Sequence, residues 1–263
     1  MSATRADAVE SGAASDRAVF WSPQRGPLPG GALFAMATRL GGVSEGPFAT
    51  LNLGLRAGDR EDAVRENIRR VRAEAGMGDG EPVRVTQVHG TSIVPVSGAG
   101  AAADGFLLRA GDPWAAVSIA DCAPVALVSG DGAWGALLHS GWRGTALGIG
   151  VRAVEALARR GVPASEIHVV IGPCIHACCY PVGSEVAAGF PTFLLKPHPS
   201  GVFALDLPGA IAASLEGAGV SPDRIEAAPE CTACRRDRFY SYRRDAGVTG
   251  RHWAMLRLRP SST

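Results

Sequence analysis

Three short apolar runs in the middle of the chain constrain its fold more than any other feature. They cover residues 115–120, 125–129 and 133–139, and the segments Asp-Cys-Ala-Pro and Gly-Asp-Gly separate them. Apolar runs of this length with polar breaks between them are typical of buried strands, because helices need longer runs. We therefore expect closely connected strands of a sheet at the centre of the protein.

Weaker patterns of both kinds surround this centre. Helical periodicity predicts helices at residues 59–76, 144–160, 183–189 and 207–218, with Asp59 as the first N-cap. Apolar or alternating runs predict further strands at residues 32–38, 83–89, 92–96, 167–171 and 252–258. Because strands and helices alternate irregularly, the expected class is α/β of the mixed α+β kind. Residues 1–18 are predicted to be a disordered tail, and residues 19–263 a single domain.

The charge balance and the hydropathy pattern restrict the partners. The chain has 26 basic and 25 acidic residues and a formal net charge of +1, which argues against nucleic acid or an anionic membrane as the main partner. The N-terminal residues lack the apolar core of a secretory signal, and no stretch is apolar for about 18 residues. We therefore expect a cytoplasmic protein, with no membrane partner, whose cysteines stay reduced.

Three residues with metal-binding side chains each follow or end a predicted strand, beside a turn. They are His89, Cys122 and His139. Strands that share a sheet can bring such ends together, and two imidazoles with one thiolate would form a three-ligand zinc site with a fourth position open. Asp121 could orient one imidazole through a hydrogen bond. Spacing alone leaves an alternative open, in which both histidines are ordinary hydrogen-bonded residues and Cys122 is an inert core thiol.

Nine short motifs occur in the order seen in one protein family. They are TRLGGVS at 38–44, LNLG at 51–54, QVHG at 87–90, ADG at 103–105, ADCAPV at 120–125, HSGWRG at 139–144, IGPCI at 171–175, CCYPVG at 178–183 and FYSYRRD at 239–245. In these motifs the chain resembles the YfiH-like laccase-domain family from about residue 30 to residue 258.

The resemblance implies a metal centre, a fold and an activity. The metal would be zinc, bound by His89, Cys122 and His139, with copper as the alternative that an older label, multicopper polyphenol oxidase, suggests. The fold would be layered mixed sheets flanked by helices, as in the catalytic domain of cytotoxic necrotizing factor. The substrates would be phosphate and a purine nucleoside (adenosine, inosine, guanosine or methylthioadenosine), and adenosine deamination is a further expected activity.

Other residues in these motifs are expected in the site. Arg143, beside a glycine turn that enters a helix, is predicted to bind phosphate and to act with Cys122 and His139 in catalysis. Arg39 either binds phosphate or forms a surface salt bridge. Asn52 either binds ligand or caps a turn. Gln87, two residues before His89, would project to the same face of a strand and contact the base.

The remaining cysteines are given less specific roles. Cys174 is expected to line the pocket. The adjacent pair Cys178 and Cys179 is predicted to be structural, because neighbouring thiols do not easily face one ion. Cys231 and Cys234 form a lone CxxC, which is a weak zinc signal and is interpreted as two buried thiols.

Three other functions remain open from sequence. Cys122 activated by His139 would make a hydrolase, with peptidoglycan precursors as the suggested substrate class. A copper oxidase could use the same three ligands. A metal-binding module without catalysis is the last alternative. The oligomeric state, the preferred base and the general acid or base do not follow from the sequence.

Overall fold

The computed structural model describes residues 17–260. The tail predicted over residues 1–18 therefore lies outside the described residues, apart from Arg17 and Ala18. The strands are β1 (Phe20–Trp21), β2 (Leu33–Ala37), β3 (Ile93–Pro95), β4 (Gly105–Arg109), β5 (Ala115–Ile119), β6 (Ala123–Val128), β7 (Trp134–Ser140), β8 (His168–Ile171), β9 (Pro181–Val182), β10 (Leu195–Pro197), β11 (Phe203–Leu205), β12 (Ile225–Ala227) and β13 (His252–Arg257). The α-helices are α1 (Glu61–Glu74), α2 (Trp142–Ala146), α3 (Ile149–Ala158), α4 (Ser184–Ala187) and α5 (Leu207–Gly217).

These strands form three sheets. The largest has the order β12-β8-β6-β7-β4-β3, and it is mixed, because the β12–β8 and β3–β4 pairs are parallel while the inner pairs are antiparallel. A second sheet, β1-β2-β13-β5, and a small third sheet, β10-β11-β9, are antiparallel. The predicted mixed-sheet class is confirmed.

Alternation along β6 shows how the layers pack. Val125 and Leu127 lie in a core cluster with α3 and α5, while Ala126 and Val128 lie in a second cluster against the four-stranded sheet. Both faces of the strand are buried, since successive side chains point to opposite faces of a sheet. This is why the central runs are apolar at nearly every position.

The four-stranded sheet is covered in the same way. On β13, Ala254 and Leu256 face the six-stranded sheet, whereas Trp253 and Met255 face a third cluster to which Val71 of α1 contributes. The layers therefore run helices, six-stranded sheet, four-stranded sheet, helix. The chain passes from one sheet to the other between β5 and β6, and the connection at residues 120–122 contains Cys122.

Two predicted elements were wrong in their extent. Residues 83–89 form no strand, only isolated bridges from Val83 to Ala115 and from Thr86 to Ala102, because this segment crosses between the two large sheets. The helix predicted at residues 144–160 begins earlier and is broken into α2 and α3, since Gly148 adopts a left-handed φ of 79°.

The predicted cap of the first long helix was also wrong. The N-cap of α1 is Arg60, and it makes no side-chain cap bond. Asp59 instead accepts hydrogen bonds from Ser44 Oγ at 2.6 Å and Asn52 Nδ2 at 3.0 Å. Within residues 17–260, none of the helices has the length and apolar character needed to cross a membrane.

Candidate active site

The structure brings the three predicted ligands together. One ligand atom from each of His89, Cys122 and His139 lies within 4.8 Å of the others. His139 is the second-last residue of β7 and pairs with Pro124 at the start of β6, Cys122 precedes that strand, and His89 comes from the loop before β3. The imidazoles of the two histidines meet edge to face, with centroids 4.8 Å apart.

A buried carboxylate, Asp104, organises this group. Its side chain accepts a hydrogen bond from His139 Nδ1 at 2.9 Å and from the backbone N–H groups of His89 at 3.0 Å and Gly90 at 2.6 Å. Although burial raises the pKa of Asp104, these donors outweigh it, so the net shift is downward and the carboxyl group is ionised. Because Nδ1 of His139 donates to Asp104, its Nε2 is free to bind a metal.

The orienting role predicted for Asp121 was therefore wrong. The carboxylate of Asp121 is already bonded to Thr232 Oγ1 at 2.6 Å, Ser241 Oγ at 3.0 Å and the backbone N–H of Arg243 at 2.7 Å. Through these bonds, the C-terminal part of the chain anchors residues 120–122, which is the connection that contains Cys122. Asp121 thus positions the thiol through the backbone, and Asp104 holds the imidazole.

The backbone on either side of the group is in an uncommon conformation. His89 has φ 58° and Asp121 has φ 82°, values in the left-handed region that side-chain-bearing residues adopt rarely. Strain of this kind persists only where surrounding bonds enforce it, and it concentrates at functional sites. At His89, the hydrogen bond to Asp104 enforces the strained backbone conformation. At Asp121, the hydrogen bonds of its own carboxylate enforce it.

A glycine makes room for the thiol and the first imidazole. A Cβ atom at Gly141 would lie 2.8 Å from Cys122 Sγ and 3.3 Å from His89 Nδ1. The first distance is shorter than real Cβ contacts, so Gly141 can carry no side chain unless the ligands move. The glycine of the HSGWRG motif is therefore a packing requirement of this site.

The thiol and the buried imidazole form a mutually charged pair. Burial raises the pKa of Cys122, but the charge and hydrogen bonds of His139 and His89 outweigh it and lower the pKa to about 6. Burial lowers the pKa of His139, yet Cys122 and Asp104 raise it to about 9. At neutral pH the metal-free pair is thus thiolate and imidazolium, and the thiolate is the form that binds metals.

The donor set fits a zinc ion. Two imidazoles and one thiolate, with one imidazole oriented by a carboxylate, match the three protein ligands of a catalytic zinc site. All three ligand residues line the main cavity, so a fourth position would face that space. The same atoms also suit copper, because imidazole and thiolate bind both metals.

The cavity beside the candidate metal group (His89, Cys122 and His139) is large, and its lining is basic and aromatic. Its volume is about 970 Å³. The arginines that line it are Arg56, Arg84, Arg143, Arg243 and Arg251, and the aromatic residues are Trp142, Tyr180, Tyr242 and Trp253. Guanidinium groups lie over the aromatic rings at 4.8–5.5 Å from the centroids in four pairs, which are Arg84–Trp253, Arg143–Trp142, Arg243–Tyr180 and Arg251–Tyr242. Of the described residues, Asp121 is the one acidic side chain in this lining, and its oxygens are already bonded.

Two of the residues predicted to bind substrate reach the cavity. Arg143 lines it next to the metal group. Gln87 lines it as well, but its amide donates to Ser118 O at 2.9 Å and accepts from Ser118 N at 2.7 Å. Gln87 therefore ties the crossing segment to β5, with both ends of its amide already occupied.

The other three predicted residues lie outside the cavity lining. The guanidinium of Arg39 donates to Ala49 O at 2.8 Å and stacks on Tyr240, so it holds a loop instead of facing the metal group. Asn52 is fully buried and accepts from the backbone N–H groups of Gly54 and Arg251, which is the turn-capping alternative. Cys174 is buried in the core, where its backbone bridges to Cys231, and it does not line the pocket.

Several cavity residues were missed from the sequence. Arg84 lies in a segment predicted as a strand, and nothing in the local pattern distinguishes its guanidinium from a solvated one. Asp104 stood within a recognised motif, ADG at 103–105, but without a role. Tyr242 and Arg243 belong to the FYSYRRD motif, and that motif was the signal that could have placed them here.

Solved structures of known proteins share this architecture. The crystal structure of YlmD from Geobacillus stearothermophilus matches with a TM-score of 0.82 and 34% identity, over 92% of this chain and 99% of that chain. The hypothetical protein YfiH of Bacillus licheniformis matches with a TM-score of 0.81 and 31% identity, over 87% of this chain and 93% of that chain.

The sequence comparisons point the same way. The family model described as multi-copper polyphenol oxidoreductase laccase matches residues 33–259. A Deinococcus radiodurans protein named purine nucleoside phosphorylase is 39% identical over 228 residues, which cover 85% of this chain and 88% of that protein. The chain therefore belongs to the YfiH-like laccase-domain family, as its ordered motifs predicted.

Proposed function

We propose that this protein is a zinc-dependent purine nucleoside phosphorylase that cleaves adenosine, inosine, guanosine and methylthioadenosine. The observation that carries the proposal is the juxtaposition of His89, Cys122 and His139 with a cavity rich in arginines. The relatives from Deinococcus radiodurans and Geobacillus stearothermophilus carry the same name, purine nucleoside phosphorylase. These three residues would hold the zinc ion, and the metal site would hold the nucleoside in reach of phosphate.

Phosphate is bound by the cavity arginines. Within residues 17–260, no carboxylate forms an ion pair with Arg84 or Arg143, and each guanidinium stacks on a tryptophan instead. Stacking fixes the plane of a guanidinium and leaves its N–H groups free for paired bonds to an oxyanion. The deficit of acidic side chains in the lining means that a bound phosphate meets little repulsion.

The nucleoside fits the remaining space. A cavity of about 970 Å³ lies at the upper end of the range for small-ligand sites. The aromatic side chains of Tyr180 and Tyr242 line it, and aromatic side chains suit contact with a flat purine. An oxygen of phosphate bonds to the anomeric carbon of ribose as the bond from that carbon to the base nitrogen breaks.

The chain positions the reactants more than it reacts with them. Zinc, when bound, supplies a fixed positive charge for oxygen or nitrogen atoms that gain electron density. Asp104 keeps the His139 imidazole in one tautomer and orientation, and Asp121 keeps the connection carrying Cys122 in place. Holding phosphate and nucleoside in one geometry converts a two-molecule encounter into a local step.

Adenosine deamination is a further proposed activity of the same site. In zinc deaminases of other folds, an activated water attacks the purine carbon that bears the amine. Formation of inosine from adenosine without phosphate, followed by chromatography, tests this activity separately from phosphorolysis.

One feature of the geometry favours a second candidate. Cys122, His139 and Asp104 lie in the order nucleophile, base and orienting carboxylate, which is the arrangement of a cysteine hydrolase. A hydrolase of this kind, for which peptidoglycan precursors are the proposed substrates, needs a metal-free thiolate. Metal bound at His89, Cys122 and His139 therefore separates the two functions, and copper in place of zinc at these residues would support the oxidase alternative.

The direct test is chromatography of inosine or adenosine incubated with the zinc-loaded protein, with and without phosphate. The proposal expects free base to appear only with phosphate, and expects Cys122→Ala to lose turnover together with the zinc held by His89, Cys122 and His139. Cys174→Ala is the matched control, since this cysteine lies outside the cavity. No product from the intact protein, or full activity in Cys122→Ala, would refute the assignment.

A further inference from the structure

Four other cysteines, two of them exposed, lie together outside the lining of the main cavity. Cys178 and Cys179 belong to the short 3₁₀ turn Ala177–Cys179, and Cys231 and Cys234 follow β12. The Sγ atoms all lie within 4.8 Å of one another. Cys179 Sγ is 3.4 Å and Cys178 Sγ is 3.5 Å from Cys234 Sγ, so the turn points both adjacent thiols at one place, contrary to the sequence-based expectation.

The spacing suits one tetrahedral ion. A disulfide has an S–S distance of about 2.05 Å, whereas these sulfurs are farther apart and all four cysteines are free. Four thiolates around zinc, with Zn–S bonds of about 2.3 Å, place the sulfurs about 3.8 Å from each other. The separations of 3.4 and 3.5 Å lie close to that value, and the remaining ones do not exceed 4.8 Å. A tetrahedral set of four sulfurs is typical of zinc.

Neighbouring groups support bound thiolates. The backbone N–H of His176 donates to Cys231 Sγ at 3.4 Å, and such bonds orient and stabilise a ligating sulfur. The guanidinium of Arg244 donates to Thr232 O at 3.0 Å and to Ala233 O at 3.2 Å, both within the CxxC turn. Arg244 also forms an ion pair with Asp245 at 2.7 Å, so its guanidinium acts here by fixing the backbone of the CxxC turn.

We propose that Cys178, Cys179, Cys231 and Cys234 bind a second zinc ion in a closed structural site. Binding replaces the four thiol protons, which pass to solvent, and leaves no open position for substrate. The CxxC interpreted from sequence as two buried thiols is then half of a metal site whose other half is the adjacent pair.

The location gives this ion a structural purpose. Tyr180 directly follows Cys179 and lines the active cavity. Thr232 lies between the CxxC cysteines and donates to Asp121, next to Cys122. The ion therefore cross-links the segment that contributes Tyr180 to the cavity wall with the segment that holds Asp121 in place. It takes no part in the reaction.

The test measures zinc per chain in the full-length protein in a Cys122→Ala background, which removes a ligand of the other group. The protein is purified with a non-chelating reductant and analysed by plasma mass spectrometry. We expect one zinc per chain in this background, loss of that zinc on adding Cys234→Ser, and its retention on adding Cys174→Ala. A Cys122→Ala protein without zinc, or zinc retained after Cys234→Ser, would overturn the proposal. Purine turnover does not enter this measurement, so failure of the phosphorylase assignment leaves it valid.

A spectroscopic measurement covers the case in which Cys234→Ser does not fold. Cobalt replaces zinc in the Cys122→Ala protein, and we expect strong thiolate-to-cobalt charge-transfer bands together with the visible absorption of a tetrahedral ion. Cobalt that shows neither signature would overturn the four-sulfur site.

Discussion

Substitution of Gly141 by alanine should disrupt the group formed by His89, Cys122 and His139 without straining the backbone. Gly141 has φ −82° and ψ 176°, which any residue adopts. The added Cβ would lie 2.8 Å from Cys122 Sγ, and ordinary contact begins at 3.4 Å. The sulfur must therefore move by roughly 0.6 Å, which is several times the tolerance of about 0.2 Å in a zinc–ligand bond.

This displacement sets the expected magnitude. Displacement of the Cys122 sulfur should weaken zinc binding on the order of 100-fold or more. Turnover should fall by a similar factor, because displacement of a catalytic group by about 1 Å can lower the rate about 100-fold. Zinc affinity is measured by competition with a chromogenic chelator, and turnover by release of free base. Gly90→Ala is the matched control, since its Cβ would meet Asp104 Oδ2 at 3.6 Å, an ordinary contact. Wild-type zinc affinity in Gly141→Ala would refute the reasoning.

Three further predictions concern the carboxylate, the thiol and the arginines. Asp104→Asn should weaken zinc binding about 10- to 100-fold, as measured by the same chelator competition, and unchanged affinity would contradict its orienting role. Because the pKa of Cys122 is lowered to about 6, the thiolate predominates above that pH. Alkylation of Cys122 by iodoacetamide in zinc-free protein should therefore rise through a midpoint near 6 instead of the usual value of about 8.5, as followed by peptide mass spectrometry. Arg143→Gln should raise the KM for phosphate about tenfold or more, since it removes a charged hydrogen-bond donor. Arg39→Gln, outside the cavity, should leave that KM unchanged; equal effects of the two arginine variants in initial-rate kinetics would show that the phosphate assignment is wrong.

The centre of the fold could be predicted from sequence because burial dictates it. The runs at residues 115–120, 125–129 and 133–139 became β5, β6 and β7, and their continuous apolar character reflects sheets buried on both faces. Residues 83–89 misled the prediction, because alternation of apolar residues also suits a segment that bridges two sheets. The break at Gly148 was missed because a glycine inside a helical pattern is often tolerated.

The three candidate ligands could be predicted from the sequence, whereas the residues that hold them in place could not. The motifs containing His89, Cys122 and His139 signalled metal-binding residue types, and the fold brings those residues together. Asp104 could not be distinguished from Asp121 by sequence, since both follow an alanine within one of the ordered motifs. Only the register of β4 with β7 places Asp104 beside His139.

Tertiary geometry also decided the roles of arginine and cysteine. Arg39 and Arg84 are alike in the sequence, yet the first stacks on Tyr240 outside the cavity and the second on Trp253 inside it. Sequence spacing could not show that the turn carrying Cys178 and its neighbour meets the CxxC segment more than 50 residues away.

Phosphorus NMR of the zinc-loaded protein with inosine and phosphate tests the central claim most directly, when combined with chromatography of the base. The account predicts ribose 1-phosphate and hypoxanthine in equal amounts, and loss of both products in Cys122→Ala. Hypoxanthine formed without ribose 1-phosphate, or neither product from zinc-loaded protein, would contradict it.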